Sequence, residues 1–124
     1  MIDDILSSLE EALAFGDTVL IVRSKAATAE VVGGGPLRRS QEWPTLGDEG
    51  GGASHVHLRI AEVCGLRFRE SPDRNAALDV LAPDAEAILS ISFRRTNPAR
   101  LETFDPERLA AVKSRFCRVA EVPA

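Results

Sequence analysis

Residues 87–93 read AILSISF, an alternation that puts Ala87, Leu89, Ile91 and Phe93 on one side of an extended chain and Ser90 and Ser92 on the other. Period two marks a half-buried strand, the clearest in the chain. The turn signal PDAE (83–86) precedes it, and TNPARLETF (96–104) leads on to a helix. In that helix Asp105 is the expected N-cap, Pro106 the first helical residue and Glu107 an acid in the first turn. Leu109, Val112 and Phe116 form its inward stripe, and Arg115 and Arg118 complement its C-terminal dipole.

Upstream, Ile2, Ile5, Leu6, Leu9 and Leu13 recur at spacings of three and four, which predicts an amphipathic helix over 2–15 stopped by Gly16. TVLIVRS and the stretch 29–32 are short and β-branched, so 17–32 reads as a strand hairpin. Between 33 and 53 seven glycines and two prolines predict a long flexible loop in which no regular element persists. Trp43, the sole tryptophan, lies within it, placed either to pin the loop or to form part of a ligand wall. SHVHLRI (54–60) then alternates again, and 62–69 continues in the same idiom. SPDRNAA is a turn, and 77–81 a short strand. With no internal repeat, the expectation is α+β: two terminal helices and an antiparallel meander broken by one long loop, in a single domain over 1–124.

Nineteen acids against fifteen bases give a net charge of −4, which argues against a general nucleic-acid binder. Only Lys25 and Lys113 are lysines, so positive charge resides in arginines able to make fixed, bidentate contacts with carboxylate or phosphate. Nothing in the sequence reads as a membrane span or an export signal, and Cys64 and Cys117 form no CxxC unit. The expectation is a cytoplasmic protein with two reduced, buried thiols.

His55 and His57 are the only histidines, and period two sets them with Arg59 on one strand face. Successive imidazoles on one face can converge on an ion or meet a flat ligand. A zinc or non-haem iron site normally recruits a third ligand, and the nearby acids offer no recognised spacing. No serine has a nucleophile-elbow setting, and Cys64 reads as a core thiol rather than a nucleophile. The triple glycines 33–35 and 50–52 lack the form of a phosphate-binding loop.

A leading helix, GDTVLIVRSKAATAEVVGG, a glycine-rich loop, SHVHLRIAEVCGLRF, AILSISFRR and a terminal DPERLAAVKSRF resemble, in that order, the haem-utilisation proteins of the HemS/ChuX/HutX type over roughly residues 5–116. The resemblance implies a curved antiparallel sheet flanked by helices, commonly a homodimer, binding haem against the sheet. Carried onto this chain it makes His55 or His57 the axial iron ligand and sets Arg59, Arg94 or Arg95 toward the propionates; Trp43, if it forms part of the ligand wall, is a further cofactor-binding candidate. The chain is shorter than typical members and lacks the tyrosine and much of the phenylalanine expected around a porphyrin. The leading expectation is a small haem-binding, haem-trafficking or storage protein without catalytic groups, its partner haem or another amphipathic anion. The alternatives are a dimerising or regulatory module of the same fold and a metal-dependent enzyme using the two histidines.

Overall fold

The computed structural model describes residues 2–32, 36–47 and 55–119. Both triple glycines of the expected loop lie outside them. Helix α1 (Ile2–Ala14) and helix α2 (Pro106–Phe116) flank strands β1 (Thr18–Arg23), β2 (Thr28–Val32), β3 (Thr45–Gly47), β4 (His55–His57), β5 (Gly65–Ser71), β6 (Arg74–Leu81) and β7 (Ala87–Phe93). Five strands form one antiparallel sheet in the order β2-β1-β7-β6-β5. The architecture is α+β, as the alternation of 87–93 and the two capped helices predict.

Strand β7 occupies the centre. Ile91 pairs with Leu20 of β1 and Leu78 of β6, so three fully buried residues cross the sheet in one row. Leu89 and Phe93 point to the same side, and α1 and α2 cover it with Leu6, Leu9, Leu13, Val112 and Phe116. Phe15, Phe93 and Phe116 meet there at centroid distances of 5.7–5.8 Å.

Two expectations need correction. The segment 33–53 holds β3, whose Thr45 is bridged to Arg38 and which pairs with β4 as a separate two-stranded ribbon. Leu37 and Leu46 bury against the core, which offsets the ordering cost that glycine imposes on that segment. The extended run expected over 54–69 is likewise interrupted: β4 ends at His57, and a 3₁₀ turn over Ile60–Glu62 redirects the chain into β5. The thiols also differ from expectation. Cys117, the α2 C-cap, follows the buried Phe116 by one position, about 100° around the helix, and is exposed. Cys64 is half-buried, its N–H bonded to the Leu81 carbonyl at 2.7 Å.

Gly16 and Asp17 both have positive φ, 73° and 53°, and turn the chain from α1 into β1. The carbonyls thus presented meet the Arg108 guanidinium of α2. Arg108 donates to Phe15, Gly16 and Asp17 carbonyls at 3.4, 2.6 and 3.0 Å, and to the Arg94 carbonyl at 2.7 Å. Its neighbour Asp105 caps α2 by accepting from the Arg108 N–H at 3.1 Å. Burial pulls the Arg108 pKa down, with Arg95 adding to the effect and Asp17 and Asp105 opposing it.

Replacing Arg108 by Ala leaves four carbonyls without that donor and is expected to cost about 2–4 kcal/mol. Lys retains the charge but not the planar fork, so Arg108→Lys should recover only part of the loss in urea unfolding. Full recovery by Lys would show that charge alone is what matters.

Asp17 supplies a pH test. Its carboxylate accepts from Arg95 Nε at 2.8 Å, and that hydrogen bond holds its pKa below the usual carboxylate range, with Arg95 and Arg94 adding Coulombic attraction. A pKa lowered by folding contributes stability above the unfolded value and loses it as pH falls through the folded value. Asp17→Asn, which tolerates the same positive φ, should be less stable than the parent at neutral pH, the gap closing on acidification. A gap independent of pH would rule out the ion pair as its source.

Candidate functional site: the histidine ribbon and the arginine face

The ribbon and the residues flanking it carry four of the six residues singled out in the sequence: His55 and His57 on β4, Trp43 before β3 and Arg59 after β4. Thr45 pairs with His57 and Gly47 with His55, so the histidines share a face with Thr45. Val56, Leu58 and Ile60 turn the other way and join the core, leaving His55, His57 and Arg59 exposed. The imidazole centroids are 4.8 Å apart, edge to face. Thr45 Oγ1 and His57 Nδ1 are 3.0 Å apart, the donor set by the ring tautomer. Thr45 is itself 5% exposed, so its hydroxyl is a fixed partner that leaves His57 Nε2 free for another contact. Alongside, the Arg59 guanidinium lies 5.9 Å from the centroid of Trp43, a half-exposed indole.

Among the described residues no group of three or more His, Cys, Asp and Glu side chains is placed to hold a metal ion. The donor set at the ribbon is therefore a pair of imidazoles with an indole and a guanidinium. An iron already held by four equatorial nitrogens needs one or two axial imidazoles, an apolar surface and a cation for its carboxylates. The ribbon offers each of these, and so fits haem better than a bare divalent ion.

Arg94 and Arg95 are elsewhere. They follow β7 beside the α1–β1 turn, with Arg94 3.7 Å and Arg95 2.8 Å from Asp17, and Arg95 3.4 Å from Asp105. The ribbon belongs to the helix-covered side, whereas these two arginines line a cavity with Ile21 and Ser92, which point to the opposite side of the sheet. The structure thus brings His55, His57, Arg59 and Trp43 together and sets Arg94 and Arg95 apart from them.

The opposite side, on which the alternation of 87–93 places Ser90 and Ser92, holds a buried polar network. Ser90 is wholly buried: it donates to Asp79 Oδ1 at 2.6 Å and accepts from Arg23 Nε at 2.9 Å. Asp79, 1% exposed, also accepts from Arg67 and Arg69 at 3.2 Å. In the sequence Arg67 and Arg69 alternate with Leu66 and Phe68, which places both on one strand face; the register that sets them beside Asp79 has no local signal.

No family model matches the chain, and no curated protein matches it by sequence. Its likeness is to solved structures. A crystal structure of ChuX superposes with a TM-score of 0.65 at 16% identity, covering 95% of this chain and 73% of that one. A protein from Agrobacterium tumefaciens gives 0.67 at 17%, covering 95% and 68%, and one from Erwinia carotovora gives 0.63 at 16%, covering 95% and 71%. A further structure, of the heme-binding protein ChuX, gives 0.63 at 16%. The chain therefore has a ChuX/HemS-like fold, as its element order suggested.

Because Trp43 is the sole tryptophan, its fluorescence reports on the ribbon alone. Arg59→Ala, which removes a contact of about 0.5–1 kcal/mol at an exposed site, should make the indole more accessible to acrylamide quenching. Unchanged quenching would mean that the pair does not persist in solution.

Proposed function

We propose that the chain binds haem through the histidine ribbon and stores it or passes it on, without chemistry of its own. The observation that carries this reading is the contact of Thr45 with His57 Nδ1, which leaves Nε2 exposed beside His55 and the Arg59–Trp43 pair. The heme-binding description of a structure with the same fold supports it. When bound, haem would supply the iron and its redox chemistry, and His57 or His55 would supply an imidazole to hold it. Thr45 would hold the His57 imidazole in one orientation, Trp43 would offer an apolar face and Arg59 a cation for a propionate. The unpaired thiols of Cys64 and Cys117 support a reducing, cytoplasmic setting.

Titration of the purified protein with ferric haem, followed at the Soret band, tests the reading. Saturable one-to-one binding is expected, weakened at least tenfold by His57→Ala and less by His55→Ala. Thr45→Val should leave the far-UV spectrum intact and weaken haem binding by about tenfold, the scale on which a ligand's hydrogen-bond partner acts. Binding that neither histidine substitution alters would sink the proposal.

A further inference from the structure

A cavity of about 450 Å³ opens where the polar side of the sheet meets the β7–α2 connection, and six arginines line it: Arg23, Arg69, Arg74, Arg94, Arg95 and Arg100. In a protein whose net charge is −4 this is a pronounced concentration of cations. They come from four separate parts of the chain, β1, β5, the start of β6 and the segment after β7, so their convergence is a product of the fold.

Internal partners do not consume them all. Asp79 takes Arg69, and Asp17 and Asp105 take Arg94 and Arg95. Arg23 spends its Nε on a neutral hydroxyl, that of Ser90. Asp73, the sole carboxylate lining the cavity, is bonded by the Ser71 hydroxyl at 2.6 Å. Arg74 and Arg100 are exposed, and among the described residues neither guanidinium is engaged in a direct hydrogen bond or salt bridge, although Arg74 attracts the nearby Asp73 carboxylate. The arginines already paired hold the wall rigid; Arg74 and Arg100 stand at it with their donors available.

The lining also excludes ligands. Among the described residues it contains no aromatic side chain, and Ile21 is its one aliphatic residue, so it offers little apolar surface to a porphyrin. Guanidinium forks match the paired oxygens of phosphate groups, and several forks around one cavity reward a ligand with more than one such group. We infer that this cavity is a binding site for a compact small molecule carrying two or more phosphate groups, separate from the histidine ribbon.

Calorimetric titration of the whole chain with inorganic pyrophosphate and tripolyphosphate at low salt tests this, with citrate as the carboxylate counterpart. Saturable one-to-one binding is expected, stronger for tripolyphosphate and weakening as salt rises. Arg74→Ala/Arg100→Ala should weaken it at least tenfold while leaving the Tm unchanged, and Arg38→Ala, at an exposed arginine that does not line the cavity, should leave it alone. His57→Ala should not affect it, so failure of the haem reading and failure of this one are separable. Absence of saturable binding, equal binding of citrate, or binding indifferent to the double substitution would each overturn the inference.

Discussion

The Arg108 guanidinium is the constraint on which the rest of the arrangement turns. The last turn of α1 is closed by the N–H groups of Phe15 and Gly16 on the Ala12 and Leu13 carbonyls. Two successive residues of positive φ then gather the carbonyls of the α1–β1 turn just beyond the helix end. One planar cation answers three of them and a fourth from the end of β7. The start of β1 is thereby held beside the end of β7, as their antiparallel pairing requires: Thr18 meets Phe93. Burying an arginine is unfavourable unless its donors are met and its charge is opposed. Asp17 and Asp105 provide that opposition, and they also hold Arg95, so the corner is one network joining both helices to the central strands.

The sheet then has two sides of different chemistry. One is apolar and closed by helices and ribbon. On the other, Ala77, Asp79 and Ser90 are nearly inaccessible although neither α1 nor α2 covers them, and Asp79 accepts from two arginines and a serine hydroxyl. A buried carboxylate so fully bonded adds little net stability, but its donors are costly to displace. The polar side is thus stiff rather than adaptable, a property suited to a fixed array of donors.

How far the sequence disclosed this depends on the range of each signal. Asp105-Pro106, the stripe of α1 and the alternation of 87–93 act within a few residues, and the elements they predict are present with boundaries close to those expected. Strand β3 was hidden because its glycines and prolines speak locally for a loop, while Leu37 and Leu46, which order it, act through distant partners. Period two placed His55, His57 and Arg59 on one face, and the structure retains that face. It could not show that the face belongs to a small ribbon, nor that Arg94 and Arg95 lie across the sheet from it. Arg108 gave no local sign at all, since its four acceptors lie 14 or more residues away.

Aromatic supply separates the two candidate surfaces. Of five phenylalanines, Phe15, Phe93 and Phe116 are engaged with one another in the core, and Phe68 and Phe104 are half-buried, which leaves Trp43 as the exposed aromatic. A porphyrin at the ribbon would therefore depend more on ligation by imidazole than on stacking, and its retention would be sensitive to anything that turns the His57 ring. The hydroxyl of Thr45 consequently matters more to that surface than a residue so small suggests. The arginine side faces no such shortage, because phosphate recognition asks for oriented N–H groups and not for apolar area. At 16–17% identity a shared fold transmits the sheet and its helices, while what each side recognises is decided by the side chains this chain places there.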